Sequence, residues 1–293
     1  MNQLNFKTIT IEDKKIFENY FSLYPPKISE YTFTNLFMWS KVKNIKYCIY
    51  NDGLLISAID RNNNPYFLPP VGFNDCQGIF DFIIQYGIEN NIRLIELVPE
   101  YQKKYLKKHG VKVTADRNSF DYIYKTELLA TLRGWRLDGK RGFVRKFKEK
   151  YTYSYLPYTD SFKNSCLDLF DKWMRNKDSS DSSVNDEFLA FKNFIEYFPK
   201  LNASGGIILV EGKVVAFSFG EKLNENTFVI HFEKADSSYT GSYQIINQLF
   251  VQSEAYGKYA FVNREQDMGI EGLRKAKLSY APFKLLKKYM ASF

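Results

Sequence analysis

The sequence predicts an α/β protein with mixed sheets, built as two domains of one design. Three observations carry that prediction. The two halves repeat one order of elements: helix, helix, hairpin, strand, helix, strand, helix, strand. Self-similar order without sequence identity argues for duplicated domains. Residues 92–98 form an almost wholly apolar run, as in a strand of a sheet covered on both faces. Asn51-Asp52-Gly53 and Glu211-Gly212 join strand-like runs in the manner of tight hairpins. The chain has 293 residues, a length that fits two domains of ordinary size. The boundary is expected within residues 129–134, giving domains 1–131 and 132–293.

In the first half, Thr10-Ile11-Glu12-Asp13 is a variant of the helix-start capping pattern. Ile16, Phe17, Tyr20 and Phe21 then recur at helical spacing until Pro25-Pro26 stops the helix. A second helix is expected over 31–41, with Phe33, Leu36, Phe37 and Trp39 as a core stripe. Residues 45–50 and 54–59 form the hairpin, with a glycine to tolerate positive φ in its turn. Residues 66–68 are a third strand closed by Pro69-Pro70. Residues 78–90 are helical and 92–98 a buried strand. A short basic helix then ends at Lys108-His109-Gly110, where His109 reads as a C-terminal cation beside a glycine cap. Residues 111–129 supply further strands, broken at Asp116-Arg117-Asn118.

In the second half, residues 162–177 form a helix with Leu167, Leu169, Phe170 and Trp173 in its core face. Asp178-Ser-Ser-Asp-Ser-Ser183 is the most linker-like stretch. A helix over 185–198 ends at Pro199. Strands 206–210 and 214–221 form the second hairpin, 228–232 a third strand, 241–255 a helix and 259–262 a strand. A helix near 270–276 and a segment over 283–289 close the chain.

Composition excludes several classes. Three widely spaced cysteines, Cys48, Cys76 and Cys166, fit neither a disulfide framework nor a thiolate metal site. With His109 and His231 the only histidines, no metal site is expected, and a Ser-His or Cys-His nucleophile has little support. There is no phosphate-cradling Gly-x-x-x-x-Gly-Lys-Ser/Thr loop and no Gly-x-Ser-x-Gly elbow. No apolar run approaches the roughly 18 residues of a membrane helix, and the first residues lack the layout of a signal peptide. The chain therefore reads as cytoplasmic, without a transmembrane segment. Its net charge of +8 favours anionic partners: nucleic acid, acidic lipid headgroups or a phosphorylated cofactor. Abundant Lys, Asn, Ile, Phe and Tyr also fit a genome rich in A and T.

Chemistry concentrates near the end of the chain. After the strand at 259–262 come Asn263, Arg264, Glu265, Gln266 and Asp267 without interruption, then Met268-Gly269 and a helical segment with Arg274, Lys275 and Lys277. Five hydrogen-bonding side chains at a strand's C-terminal end sit where open α/β sheets build sites. A solvated turn with Asp267 as a helix cap fits the same residues. A second concentration is Arg133-Gly-Trp-Arg-Leu-Asp-Gly-Lys-Arg-Gly-Phe-Val-Arg-Lys-Phe-Lys148. On a helix, Arg141, Arg145 and Lys148 share one face, which is either a solvated face or, with Lys140, a surface for phosphates.

The segment Asn263-Arg-Glu-Gln-Asp-Met-Gly-Ile-Glu-Gly-Leu-Arg-Lys-Ala-Lys-Leu-Ser-Tyr280 resembles a motif of the C-terminal catalytic domain of phosphatidylglycerol lysyltransferases and of that domain's soluble relatives. His231-Phe-Glu-Lys-Ala-Asp236 and Gly241-Ser-Tyr-Gln-Ile-Ile-Asn-Gln248 extend the likeness, and Leu137 to Phe147 do so more loosely. The resemblance covers the C-terminal half by motif and the N-terminal half in pattern. It implies two tandem GNAT-like (N-acetyltransferase-type) domains, as in the Fem aminoacyltransferases, and the repeated element order agrees with that. It also implies an acyl or aminoacyl transfer, from aminoacyl-tRNA or acyl-CoA, to an amine or hydroxyl acceptor.

Such a transfer needs alignment, a proton acceptor and an oxyanion partner. Glu233 and Asp267 are candidates for the base, and Arg264 or Lys234 for the oxyanion or a phosphate. Strand alternation puts His231 and Glu233 on one face and Lys234 and Asp236 on the other. His231 fits either a catalytic part or a packed, hydrogen-bonded one. Lys234, Gly241, Asn263, Glu265, Arg274 and Tyr280 complete the expected substrate site. Lys140, Arg141, Arg145 and Lys148 are the expected contacts to tRNA or another anion, a peripheral contact with an anionic membrane included. The loop Asp236-Ser-Ser-Tyr-Thr-Gly-Ser242 keeps one glycine of the pyrophosphate-binding pattern and lacks the rest, which speaks against CoA. A CoA-dependent acyltransferase and a non-catalytic module binding an anionic ligand or RNA remain the alternatives.

Overall fold

The computed structural model describes residues 4–106, 110–176 and 182–293. The elements run in chain order β1 (Lys7–Thr8), α1 (Lys14–Leu23), α2 (Phe33–Lys43), β2 (Lys46–Tyr50), β3 (Gly53–Ile59), β4 (Pro65–Phe67), α3 (Cys76–Glu89), β5 (Leu94–Pro99) and β6 (Lys112–Ala115). Next come β7 (Asp121–Lys125), α4 (Thr126–Thr131), α5 (Asp138–Lys150), β8 (Tyr153–Pro157), α6 (Lys163–Arg175) and α7 (Ser182–Tyr197). The last are β9 (Ala203–Val210), β10 (Lys213–Asn224), β11 (Thr227–Ala235), α8 (Ser242–Glu254), β12 (Phe261–Asn263), α9 (Glu271–Leu278), β13 (Lys284–Leu286) and β14 (Lys288–Ser292). Contacts divide the chain into two units, residues 1–121 with 286–293, and residues 122–285.

The first unit holds a sheet in the order β1-β2-β3-β4-β5-β14-β6, antiparallel except for β4 with β5. The helix-start pattern forms, with the Asp13 carboxylate accepting the Thr10 N–H at 2.9 Å. In the first hairpin the positive φ falls on Asn51 and Asp52, as a type I′ turn requires. Gly53 instead opens β3, and the Phe73 ring lies where its Cβ would be. On β2, Tyr47 packs against Phe17 of α1 while Cys48 joins Phe80 and Ile83 of α3. The sheet is thus covered on both faces, as the apolar run at 92–98 predicts.

The second unit repeats the design in the order β13-β7-β12-β11-β10-β9-β8, with β11 and β12 parallel. Ala216, Phe228, Ile230 and Ala235 pack with Ile245, Ile246 and Phe250 of α8 and with Val144 and Phe147 of α5. Phe217, Phe219 and Phe232 meet Phe191 and Phe194 of α7 from the other side. One exchange sets the topology. The strand beside β5 is β14, from the far end of the chain, and the strand beside β12 is β7, from before α4.

That exchange explains why the unit division differs from the expected boundary. The chain changes units at Asp121/Tyr122 and its last eight residues return to the first unit. Residues 126–129, the end of a stretch expected as strand, belong instead to α4; Glu, Leu and Ala favour a helix there. Strand β8 was not expected, although its tyrosines alternate: Tyr153 and Tyr155 pack on the core while Leu156 faces outward. The expected caps at Lys108-His109 and most of the polar loop at 178–183 lie outside the described residues.

A buried ion cluster holds the returning strand. Lys288 Nζ lies 2.7 Å from both carboxylate oxygens of Glu30 and 2.7 Å from Asp121 Oδ1, and Asp121 also accepts the Ser29 N–H and hydroxyl. Lys288→Met leaves two carboxylates buried without a cation. Breaking such a cluster is expected to cost about 3–5 kcal/mol, measured by urea unfolding at neutral pH. A change below about 1 kcal/mol would show that water reaches the cluster.

Candidate active site

β11 and β12 pair over three positions only, ending at Val229 opposite Asn263. β11 then continues to Ala235 without a partner on that side, and the chain after Asn263 turns away. The two strands therefore part. The turn is unusual backbone: Glu265 and Met268 have φ of +55° and +52°, conformations that non-glycine residues adopt at a cost and that cluster at functional sites. It is tied to the neighbouring strand, where Tyr122 accepts the Arg264 N–H and donates to the Glu265 carbonyl. From α9, the buried Lys277 ammonium donates to the carbonyls of Arg264 and Glu265.

Arg264 reaches back into the opening. Its Nη2 donates to Glu233 Oε1 at 2.8 Å, and Asn247 of α8 donates to Glu233 Oε2 at 2.8 Å. The guanidinium lies 4.7 Å from the Tyr280 ring centroid and 5.7 Å from that of Tyr124. Burial works against its charge, but Glu233 beside it and the two tyrosines keep the guanidinium firmly protonated. Two atoms are left over: Arg264 Nη1 and Asn247 Oδ1 are buried and have no hydrogen-bond partner. An unpaired buried donor is costly, and this one belongs to a side chain that spans from the turn after β12 to Glu233 of β11.

Asp267 stands differently. Its fully buried carboxylate accepts Tyr122 Oη at 2.6 Å, Arg274 Nε and Nη2 at 2.9 Å each, and the Gly269 N–H at 2.9 Å. Four donors leave it no room to take a proton from a substrate, so its geometry is that of a clamp on the turn. Arg274, expected at the substrate, is the other half of that clamp. Asn263 Oδ1 accepts the Glu265 N–H at 2.7 Å and shapes the same turn.

His231 and Glu233 do not share surroundings, because a bulge interrupts the alternation. Phe219 pairs with Phe232 and Gly220 with Ile230, so His231 is the extra residue. Its imidazole is enclosed, with Nε2 2.9 Å from Glu221 and Nδ1 2.8 Å from Glu265. Both ring nitrogens face carboxylates, which suits the doubly protonated ring. Burial opposes that charge most strongly, yet the hydrogen bonds to Glu221 and Glu265 outweigh it and raise the pKa to about 9.

Lys234 does lie on the α6 and α7 side with Asp236, as alternation predicts. Its ammonium sits 2.7 Å from Glu187 and 3.8 Å from the Trp173 centroid, away from Arg264. Gly241 is a packing glycine. Its φ is +89°, and a Cβ there would meet the Phe143 carbonyl of α5 at 2.3 Å.

On α5, Arg145 and Lys148 are exposed and Arg141 partly buried, and together they line a cavity of about 370 Å³ with Thr131, Leu132, Val144, Glu149 and Gln248. Arg141 is also occupied by the carbonyls of Leu132 and Gly134 and by Asp138. Lys140 points elsewhere, to the Tyr280 ring at 4.5 Å. Among the described residues no group of histidine, cysteine or carboxylate side chains could hold a metal. No described helix is long and apolar enough to cross a membrane.

Comparison with known proteins decides the family. The family described as phosphatidylglycerol lysyltransferase, C-terminal, matches residues 21–292. The chain belongs to that family. A conserved protein of unknown function from Bacteroides thetaiotaomicron superposes with a TM-score of 0.92 at 32% identity, over 99% of this chain and 100% of that one. L-PGS from Bacillus licheniformis shares the fold at a TM-score of 0.67 and 14% identity, over 96% and 91% of the two chains. FemX does so at 0.64 and 8%, over 98% and 97%. The fold of this lysyltransferase-family chain is accordingly a tandem pair of GNAT-like units. An uncharacterised protein of Mycoplasmoides gallisepticum is 24% identical over 186 residues, 62% of this chain, and the match spans 59% of that protein's length.

Sequence reasoning missed Tyr124, Glu221 and Asn247. Asn247 stands inside the motif at 241–248, and the Tyr122-x-Tyr124 alternation marks a strand. Only the tertiary structure brings these groups to the opening.

The pH dependence of stability follows from His231. Its folded pKa of about 9 exceeds the unfolded value near 6.5, so the folded state binds the extra proton between the two. The stabilisation is fully present below about pH 6.5 and is lost as pH rises through 9. Native stability is expected to fall by a few kcal/mol across that window, and His231→Gln should flatten the curve. A pH series of thermal melts on both proteins checks this; parallel curves would refute the doubly protonated ring.

Proposed function

We propose that this protein is an aminoacyltransferase working at the opening between β11 and β12. It would move an aminoacyl group from aminoacyl-tRNA to an amine or hydroxyl, a phospholipid headgroup being one acceptor class. The observation that carries the reading is Arg264: a buried guanidinium fixed by Glu233, with Nη1 free of any partner. A preorganised donor of this kind suits the charge that develops on an acyl carbonyl oxygen. The family membership and the GNAT-like fold support the same class of reaction.

The steps follow from the groups at hand. The acceptor's N–H or O–H gives its proton to Glu233 as its heteroatom attacks the acyl carbon. The carbonyl oxygen, now negative, is met by Arg264 Nη1. The tetrahedral carbon collapses, the ester C–O bond breaks, and the departing ribose oxygen takes the proton from Glu233. Asn247 and Nη2 of Arg264 hold the Glu233 carboxylate throughout.

Two observations favour a tRNA donor over CoA. A CoA pyrophosphate needs free N–H groups at a helix N-terminus. Here the Ser238 N–H is bound to Asp236 Oδ1, the Tyr239 N–H to the Asp236 carbonyl and the Ser242 N–H to the Tyr239 carbonyl. The Asp236 carboxylate adds a like charge at that place, and Gly241 is closed off by α5. On α5, Arg141, Arg145 and Lys148 line an open groove in which Glu149 is the one carboxylate.

Asp267→Ala, which removes the clamp, is expected to destabilise the turn rather than leave the fold intact. The informative variants are Arg264→Lys and Glu233→Gln. Each is expected to lower kcat about 10²–10³-fold, the cost of losing an oxyanion donor or general base, with tRNA affinity unchanged. Transfer assays with charged tRNA decide it. Full turnover in both variants would remove the site, and turnover with acyl-CoA alone would restore the CoA reading. Binding of tRNA without transfer to any acceptor would indicate a binding module.

A further inference from the structure

Lys140 is the cation near the opening that the mechanism leaves unused. It lies in the first turns of α5 and is half-buried, with its ammonium 4.5 Å from the centroid of Tyr280. The Arg264 guanidinium lies 4.7 Å from the same ring. Two cations from separate elements therefore converge on one tyrosine. Their other surroundings differ. Arg264 has Glu233, whereas Lys140 has no carboxylate partner among the described residues. Burial and the nearby Arg264 both act against its charge. The neighbouring cations are committed: Arg141 to Asp138, Arg274 to Asp267 and Lys277 to main-chain carbonyls.

Two positive charges against one carboxylate, in a half-buried place, call for an anion from outside. We propose that Lys140 is the seat of a phosphodiester monoanion, namely the 5′-phosphate link of the terminal, acylated nucleotide of an RNA donor. This rests on the aminoacyl-tRNA reading given above. The covalent geometry of that nucleotide fits the juxtaposition: a single ribose separates the 5′-phosphate from the acylated 2′ or 3′ oxygen. With the phosphate on Lys140, the ester carbonyl falls toward Arg264 on the same tyrosine. The preceding phosphates would meet the adjoining face of α5, where Arg145 and Lys148 line a groove beside Glu149. A nucleic-acid strand is favoured over a lipid headgroup because these cations line a groove along a helix, as single-strand channels do.

The test uses the whole protein and small probes in isothermal titration calorimetry at fixed, low salt. Cytidylyl-adenosine carries the phosphodiester, adenosine lacks it, and glycerophosphoglycerol carries one without a nucleoside. The wild type is expected to bind cytidylyl-adenosine about tenfold more tightly than adenosine, the usual worth of one charge-assisted contact. Lys140→Ala should erase that ratio while adenosine binding stays the same, and Lys140→Arg should restore most of it. An unchanged ratio in Lys140→Ala overturns the subsite, as does tighter binding of glycerophosphoglycerol than of the dinucleotide. Failure of the subsite with charged tRNA still a substrate leaves the transferase reading standing. Charged tRNA that yields no transfer in the wild type removes that reading itself.

Discussion

A guanidinium leaves water only at a cost of several kcal/mol unless its surroundings answer the charge and the hydrogen bonds. At Arg264 the protein answers most of it: one carboxylate, two aromatic rings and a turn held from both sides. One nitrogen is left without a partner. Every feature of the opening serves that placement. The strands β11 and β12 must part so that the side chain can turn inward. Glu265 must take a left-handed backbone to reverse the chain, and Asp267 must be tied off by four donors to hold the reversal.

Charge is separated with some economy in this region. Glu233 and Asp267 each have their own cation, Arg264 and Arg274, while Glu265 shares the His231 ring with Glu221. Removing one partner leaves the other buried, so substitutions here mix chemistry with folding. That is why conservative changes at Arg264 and Glu233 report on function, while loss of Asp267 reports on structure. The bulge at His231 has a matching purpose. It turns the imidazole toward Glu221 and Glu265 and leaves Glu233 facing α8.

The duplicated design gives each sheet one parallel strand pair, β4 with β5 in the first unit and β11 with β12 in the second. In the first unit a prominent buried cluster sets the Lys288 ammonium against two carboxylates, Glu30 and Asp121. Its role is to fix a strand delivered from the end of the chain. The same exchange brings β7 beside β12, and with it Tyr122 and Tyr124, which support Asp267 and Arg264.

Local physics made much of this legible from the sequence alone. Hairpin turns, capping residues and apolar periodicity marked most helices and strands, since these depend on neighbours within a few positions, but not β1, α4, β8 or the two strands that close the chain. The repeated order fixed the two-unit design, and the run from Asn263 to Asp267 marked the place of the site. The tertiary structure decided everything that depends on distant residues: which strands are exchanged, where the units divide, and which charge meets which. Asp267 and Arg264 are three positions apart and equally polar, and the sequence offers both for catalysis. Only the donors that converge from β7 and α9 make one a clamp, and only the parting of two strands leaves the other with a free nitrogen.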